Sequence, residues 1–256
     1  TAEDQWYARH YGRGERAFEH CLEVTQQPCA PWHVIDGTDR QHRALEVGRV
    51  LLEGIEGRIG TAAARPAGPS PAKARSLAAR VRLPTVMRGP AVAEEDYDRR
   101  LEELQGRLAL LSRRRKFAGH SVVAVFEGMD AAGKGGAIPG ITASLDARQY
   151  RAVPISAPTP EEIARPYLWR FWFQLPPRRN YPVFDRSWYG RVLVERVHGL
   201  AAKPDWRRAY GEINEFELEL TEHRVIVAKF WMSVSPAEQL ARFRERDRNP
   251  LKRFKV

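Results

Sequence analysis

The sequence predicts an α/β domain with a mainly parallel β-sheet that helices cover on both sides. Residues 121–126 form a short, wholly apolar run, which is typical of a strand buried on both faces. Segments with helical spacing separate this run from later apolar runs of the same kind. Strands that alternate with helices favour parallel pairing, because a parallel pair needs a crossover connection.

The first part of the chain, residues 1–60, is predicted to be mainly helical. Pro28 and Pro31 break it at residues 26–32, since two prolines so close together forbid a continuous helix. A second helix is expected at about residues 39–59. Residues 61–93 are rich in Ala, Pro, Gly and Arg without a sustained period, which indicates a linker.

Residues 94–116 have the strongest helical pattern in the chain, with one apolar stripe and four cations at the end. Strands are then expected at residues 121–126, 150–155, 183–184 and 224–232. Between them, Thr159 and Pro160 precede two glutamates, a combination typical of a helix N-terminus.

The composition is that of a folded globular chain. Of the 256 residues, 43% are hydrophobic and 29% are charged, which excludes an intrinsically disordered protein. No apolar stretch is long enough for a transmembrane helix, and residues 1–6 lack a signal-peptide pattern. Two cysteines are too few for a disulfide framework. We therefore expect a cytoplasmic location and no membrane partner.

The charge balance favours a polyanionic partner. The chain has 42 Lys and Arg against 32 Asp and Glu, a net charge of +10. Residues 242–255 alone contain seven cations and two acids, and Arg242 and Arg246 are spaced to share one helix face. Such a run is often only a solvated face. Beside a phosphate site it favours an arginine-rich lid over a polyanion.

A glycine-rich loop follows the predicted strand at residues 121–126. Gly128, Gly133 and Lys134 have the spacing of a phosphate-binding loop, and a helix-compatible run comes next. Glycines let successive N–H groups point at phosphate oxygens, and the helix N-terminus and the lysine add positive charge. Gly135 stands where such loops usually have a magnesium-binding Ser or Thr. The alternative is a glycine-rich turn with a solvated lysine.

A matching acid follows downstream. Asp185 ends the apolar run at residues 183–184, and Arg186 follows it. A carboxylate at the carboxyl end of a strand beside a phosphate loop is well placed for Mg²⁺ and phosphate. The arginine offers a planar fork of donors for phosphate oxygens.

Together these motifs resemble the polyphosphate kinase 2 family over about residues 95–256. The matching stretches are residues 128–137, 157–161, 184–189, 194–197 and 242–255. The resemblance implies a P-loop kinase-like fold, similar to thymidylate kinases, with three α/β/α layers and a helical lid. It also implies Mg²⁺-dependent phosphoryl transfer between inorganic polyphosphate and nucleotides.

The resemblance also implies roles for individual residues. The catalytic positions would be Asp130, Lys134, Asp185, Arg186, Arg242 and Arg246. The other phosphate contacts would be Gly128, Ala131, Ala132, Gly133, Gly135, Gly136 and Lys252. Asp130 and Asp185 would hold the Mg²⁺.

Two departures from the family pattern affect these expectations. Pro139 and Gly140 replace the usual basic residues, so we expect a disturbed helix and a missing phosphate contact. Residues 1–60 resemble the ending of a preceding domain of the same family. The phosphotransferase domain, residues 94–256, is then expected to stop before its own ending. A piece of a fused two-domain protein or a longer chain would explain this, and a permuted single domain is the alternative.

The acceptor is expected to be AMP, because residues 167–172 and 188–193 resemble the fused, AMP-phosphorylating subgroup. ADP or other nucleoside diphosphates are the near alternative, and we expect a homo-oligomer. A non-catalytic polyphosphate-binding module is a rival, as is a nucleic-acid-binding protein. Nucleic acid is not the expected partner, since most aromatic residues lie within apolar runs.

Overall fold

The computed structural model describes residues 11–60, 92–175 and 178–249. The α-helices are α1 (Tyr11–Val24), α2 (Arg40–Gly60), α3 (Glu94–Arg113), α4 (Lys134–Thr142), α5 (Pro160–Ile163), α6 (Trp169–Trp172), α7 (Val194–Val197), α8 (Lys203–Glu222) and α9 (Pro236–Arg248). The strands are β1 (Trp32–Asp36), β2 (Ser121–Gly128), β3 (Tyr150–Pro154), β4 (Tyr181–Asp185) and β5 (Val225–Ser233). Short 3₁₀-helices lie at Arg115–Gly119 and Trp188–Arg191.

The strands form one five-stranded sheet in the order β1-β5-β2-β4-β3, and every pairing is parallel. β2 lies at its centre, and its first seven residues are buried, as expected for a strand covered on both faces. α2 packs on α3 and α4, while α8 packs on β5 and on the 188–197 segment. The predicted α/β class with a mainly parallel sheet is confirmed.

The predicted strands and helices after residue 93 are present, with boundary shifts of one to three residues. Thr159 caps α5 with a full capping box, in which its hydroxyl accepts from the Glu162 N–H. α4 continues past Pro139 to Thr142, so the proline does not end this helix. The predicted linker falls mostly on residues outside the described ranges.

The expectation for residues 1–60 was incomplete, because they contain a strand. β1 pairs with β5 in register, with Trp32 beside Lys229 and Asp36 beside Ser233. Its five residues have no clear alternation, and their partner is nearly 200 positions away, so no local pattern indicated it. Residues 11–60 therefore share one sheet and one core with the rest of the described chain. Where one domain ends and the next begins stays a prediction.

A buried network of charged and polar groups joins residues 11–60 to the rest of the core. The Lys229 ammonium donates to Glu217 Oε2 at 2.7 Å, to the Tyr189 hydroxyl at 2.9 Å and to the Thr25 carbonyl at 2.9 Å. Both charged side chains are fully buried. Burial lowers the pKa of Lys229, and the Glu217 carboxylate opposes that shift. Tyr189 and Trp188 both donate to the other Glu217 oxygen, so each polar atom of the pair has partners.

Within the described ranges, no helix has the length and apolar character needed to cross a bilayer.

Replacing Lys229 with Met should strongly destabilise the fold. The substitution leaves the Glu217 carboxylate buried without its cation, and breaking such a pair costs about 3–5 kcal/mol. Urea unfolding followed by tryptophan fluorescence measures the change. The double variant Lys229→Met/Glu217→Gln should recover part of the loss. Arg208→Met, which removes an exposed pair, is the control and should leave the midpoint almost unchanged. A Lys229→Met midpoint equal to that of the control would contradict this account.

Candidate active site

The phosphate loop connects β2 to α4 at the carboxyl edge of the sheet. Its backbone is left-handed at Gly128, Ala131 and Gly133, with φ of 129°, 60° and 101°. A Cβ at Gly128 would lie 2.1 Å from the Met232 carbonyl oxygen, so only glycine lets β2 and β5 approach this closely. Ala131 holds a conformation that costs energy for a residue with a Cβ, which is a feature of functional loops.

Lys134 is the first residue of α4 and is nine-tenths buried. Its ammonium donates to the Gly128 carbonyl at 2.8 Å and to the Met129 carbonyl at 3.1 Å. Burial lowers the pKa of Lys134, and the Asp130 carboxylate acts against that shift. The cation is therefore held inside the loop, within reach of any anion that the loop binds.

Asp185 and Arg186 reach the same place from the end of β4. Asp185 pairs with Phe126 of β2, and the Arg186 N–H donates to the Phe126 carbonyl at 3.0 Å. Arg186 has a left-handed φ of 65°. Its guanidinium donates to Asp130 Oδ1 at 3.0 Å, an ion pair that links the two loops.

α9, which carries the predicted lid residues Arg242 and Arg246, lies against the phosphate loop. Ser235 caps the helix, and the Gln239 side chain donates to the Asp130 carbonyl at 2.9 Å. Arg242 donates to the Ala131 carbonyl at 2.8 Å and, on its other side, to the carbonyls of Gly37 and Thr38. Arg246 lies one turn further along, with its guanidinium 5.9 Å from the Phe243 ring.

Nearly all of the predicted site residues line one cleft of about 620 Å³ that opens to solvent. Its lining residues are Asp130, Ala131, Ala132, Gly133, Lys134, Gly135, Gly136, Asp185, Arg186, Arg242, Glu245 and Arg246. Gly128 lies just behind this cleft, at the start of the loop. Lys252 lies outside the described residues. The structure brings these residues together, and their individual roles stay predictions.

Sequence reasoning missed Glu127, a third carboxylate beside the loop. It is buried at the end of β2, and its Oε1 accepts from the Ser187 hydroxyl at 2.8 Å. Burial raises the pKa of Glu127, while the Ser187 hydrogen bond and the Lys134 and Arg186 charges lower it by less. A charged residue at the end of an otherwise apolar strand was the signal that could have indicated it.

A second, small cavity of about 50 Å³ lies beside Asp130, Arg186 and Gly128. Its remaining lining is mostly apolar and comes from α1, β5, the 193–194 turn and α9. The residues are Gly14, Phe18, Glu127, Gly128, Met129, Leu193, Val194, Trp231, Gln239 and Phe243. Within the described chain, the indole N–H of Trp231 is buried and has no hydrogen-bond partner.

The residues present fit a magnesium ion. Asp130 and Asp185 are two carboxylates that line one cleft, and Mg²⁺ is commonly held by one or two carboxylates together with substrate phosphates. Within residues 11–60, 92–175 and 178–249, no group of three or more acidic, His or Cys side chains could hold a metal ion.

Comparisons with known proteins identify the family of this chain. The sequence model of the Polyphosphate kinase 2 (PPK2) family matches residues 91–256. This chain belongs to that family. A curated polyphosphate:AMP phosphotransferase of Pseudomonas aeruginosa is 50% identical over 248 residues, which cover 96% of this chain and 49% of the relative. An ADP-polyphosphate phosphotransferase of Rhizobium meliloti is 40% identical over 65% of this chain and 55% of the relative.

A crystal structure titled as a polyphosphate kinase 2 of Pseudomonas aeruginosa has a TM-score of 0.64 and 48% identity to this chain. The match covers 96% of this chain and 49% of that one. The chain thus spans about half the length of the AMP-named relative and of this structure. The P-loop kinase-like fold expected from the sequence is confirmed by these structural neighbours.

Two glycines of the loop should respond differently to alanine. A Cβ at Gly133 would lie 2.4 Å from the Arg43 guanidinium, and an alanine there would have to adopt a left-handed backbone conformation. Gly133→Ala should therefore lower the free energy of unfolding by more than about 1–2 kcal/mol. A Cβ at Gly135 would meet no atom within 4 Å, so Gly135→Ala should raise the free energy of unfolding by up to about 1 kcal/mol. Urea denaturation of both variants tests this pair. Equal midpoints would show that the loop backbone does not need glycine at position 133.

Glu127 should make stability fall as the pH rises. Its folded pKa is raised, so the folded state binds the proton more tightly than the unfolded state. The stabilisation that this group contributes is complete below its unfolded pKa of about 4.5, and it is lost as the pH rises through its folded pKa. In metal-free buffer, Glu127→Gln should therefore gain stability relative to the parent chain as the pH rises. The exposed Glu102→Gln is the control, and a parallel pair of pH profiles for Glu127→Gln and the parent would refute the assignment.

Proposed function

We propose that this chain transfers a phosphoryl group from inorganic polyphosphate to AMP, with Mg²⁺, and forms ADP. One observation carries the proposal: three carboxylates and four cationic side chains converge in a single cleft around a phosphate loop. Phosphoryl transfer needs positioning and charge neutralisation rather than covalent chemistry, and this set of side chains supplies both.

Each group has a distinct task in this proposal. The loop N–H groups and the α4 N-terminus hold phosphate oxygens, and Lys134 bridges two of them once it leaves the Gly128 and Met129 carbonyls. Asp130 and Asp185 would hold Mg²⁺, which when bound neutralises charge on the phosphates. Arg186, Arg242 and Arg246 bind the oxygens on which negative charge builds up during transfer.

The acceptor nucleotide would enter the open cleft beside the phosphate loop. Its volume of about 620 Å³ is within the range for small-molecule sites, and Asp130 and Arg186 line it where the acceptor phosphate would lie. The relative that covers nearly all of this chain is named for AMP, which favours AMP over a diphosphate. Transfer to ADP or another nucleoside diphosphate is the second candidate, because a relative over the loop-containing part is named for ADP.

A cytoplasmic location and a homo-oligomeric state complete the proposal. Both ligands are highly charged, and the chain's net charge of +10 suits a polyanion in either a catalytic or a binding protein. Because this charge suits both kinds of protein, a direct measurement of turnover is needed to distinguish an enzyme from a binding module.

Lys134→Met should reduce ADP formation by about 100-fold or more, since it removes a cation that faces the transferred group. The measurement incubates the chain with Mg²⁺, long-chain polyphosphate and AMP or ADP and follows nucleotides by chromatography. Arg208→Met is the charge-matched control and should retain full activity.

Faster turnover of ADP than of AMP would favour the diphosphate alternative. Tight polyphosphate binding without any product would favour a non-catalytic binding module. Equal affinity for single-stranded nucleic acid and polyphosphate would favour a nucleic-acid-binding protein.

A further inference from the structure

Arg43 of α2 reaches the phosphate loop from outside residues 91–256, the part that the family model matches. Its side chain is buried, with 6% exposure. A Cβ placed on Gly133 would lie 2.4 Å from its Cζ and Nη1 and 2.8 Å from its Nε. A Cβ on Gly136 would lie 3.2 Å from its Nη2. The guanidinium therefore occupies the space that two loop glycines leave open.

The same arginine is linked to the lid through one carbonyl group. Arg43 Nη1 donates to the Gly37 carbonyl at 2.8 Å, and Arg242 Nη2 donates to the same oxygen at 2.9 Å. Gly37 itself is packed on the loop, since a Cβ there would lie 2.3 Å from the Ala132 carbonyl oxygen. The turn is fixed further by Asp36, which accepts from the Thr38 N–H at 2.8 Å.

The charge of Arg43 is not explained by packing alone. Within the described residues it forms no salt bridge, and its Nε has no hydrogen-bond partner. Burial lowers the pKa of Arg43, and the nearby Arg242 and Arg40 lower it further, while Asp39 opposes the shift by less. An apolar side chain would fill the same space without burying a cation among other cations. A buried guanidinium that forms no salt bridge within the described residues, placed behind a phosphate loop, is understandable if the loop binds anions.

We propose that Arg43 is a positioning residue of the phosphoryl-transfer site. Its flat guanidinium holds the left-handed Gly133 at the start of α4, and the shared Gly37 carbonyl couples that point to Arg242 of the lid. Arg43 does not line the cleft, so it acts through the loop and the lid, and its charge adds to the field that the phosphates meet. The kinetic part of this inference rests on the proposed function.

The planar shape of arginine matters for this role. One guanidinium covers Gly133, approaches Gly136 and donates to Gly37. A lysine ammonium is a compact charge and cannot make these contacts together. Arg43→Lys should therefore keep the charge and lose the geometry, whereas Arg43→Met loses both.

The test compares Arg43→Lys and Arg43→Met with Arg49→Met on the same helix. Arg49 is exposed and pairs only with Glu46 and Glu53 among the described residues, so its removal is a matched loss of charge. Three quantities are measured for each chain: kcat and KM for polyphosphate, amide hydrogen exchange of residues 129–137, and the thermal unfolding temperature.

We expect Arg43→Met to lower kcat by about 10-fold or more and to raise KM for polyphosphate several-fold, because loop and charge both change. Arg43→Lys should lower kcat similarly while KM stays near that of the parent chain. Both should speed amide exchange within residues 129–137, and Arg49→Met should change none of these. If Arg43→Met does not fold, the kinetics and amide exchange of Arg43→Lys decide whether Arg43 positions the loop.

The proposal is overturned if the folded Arg43 variants keep the parental kcat and loop exchange and differ only in unfolding temperature. A parent chain without turnover would refute the proposed function instead. The exchange measurement would still decide the role of Arg43, since faster exchange confined to the loop supports it and unchanged exchange overturns it.

Discussion

The parallel pairing of β2 with both β5 and β4 sets the position of the whole site. β2 ends where Gly128 meets Met232 of β5, and a side chain at that point would collide with the neighbouring backbone. On the other side, Phe126 pairs with Asp185, and its carbonyl accepts from Arg186. Because the carboxyl ends of parallel strands meet at one edge, the phosphate loop, the acid and the arginine have to lie together.

Two lysines are buried among the described residues, Lys229 of β5 and Lys134 of α4, and their burial has different consequences. Lys229 has a carboxylate, a hydroxyl and a carbonyl as partners, so its charge is compensated and helps to hold the end of α1 and α8 against β5. Lys134 donates instead to two backbone carbonyls, those of Gly128 and Met129, and the charged side chains near it are of both signs. A cation with neutral acceptors gains most from a negatively charged ligand, because hydrogen bonds between charged groups are about twice as strong.

Much of the fold and site could be predicted because the relevant signals are local. The glycine spacing around Lys134 and the acid after residues 183–184 are short patterns with a physical reason for each residue, and both lie where they were expected. β1 and Arg43 could not be predicted in this way, because their partners are about 90 to 200 positions away. Glu127 was missed for a different reason, since its burial beside Ser187 depends on how the end of β2 meets the turn after β4.

In the proposed function, backbone carbonyls and a bound phosphate would compete for the hydrogen-bond donors of Arg242. Its Nε donates to Glu238 at 2.7 Å, and its two other nitrogens donate to the carbonyls of Ala131, Gly37 and Thr38. These contacts hold α9 against the loop through neutral carbonyls, and under the proposed function a phosphate would replace some of them. Phosphate oxygens are charged and accept more strongly than carbonyls, which makes the exchange favourable. The turn at Gly37 and Thr38 would then lose Arg242 but keep Arg43, and the loop would remain braced while the lid arginine moves to the substrate.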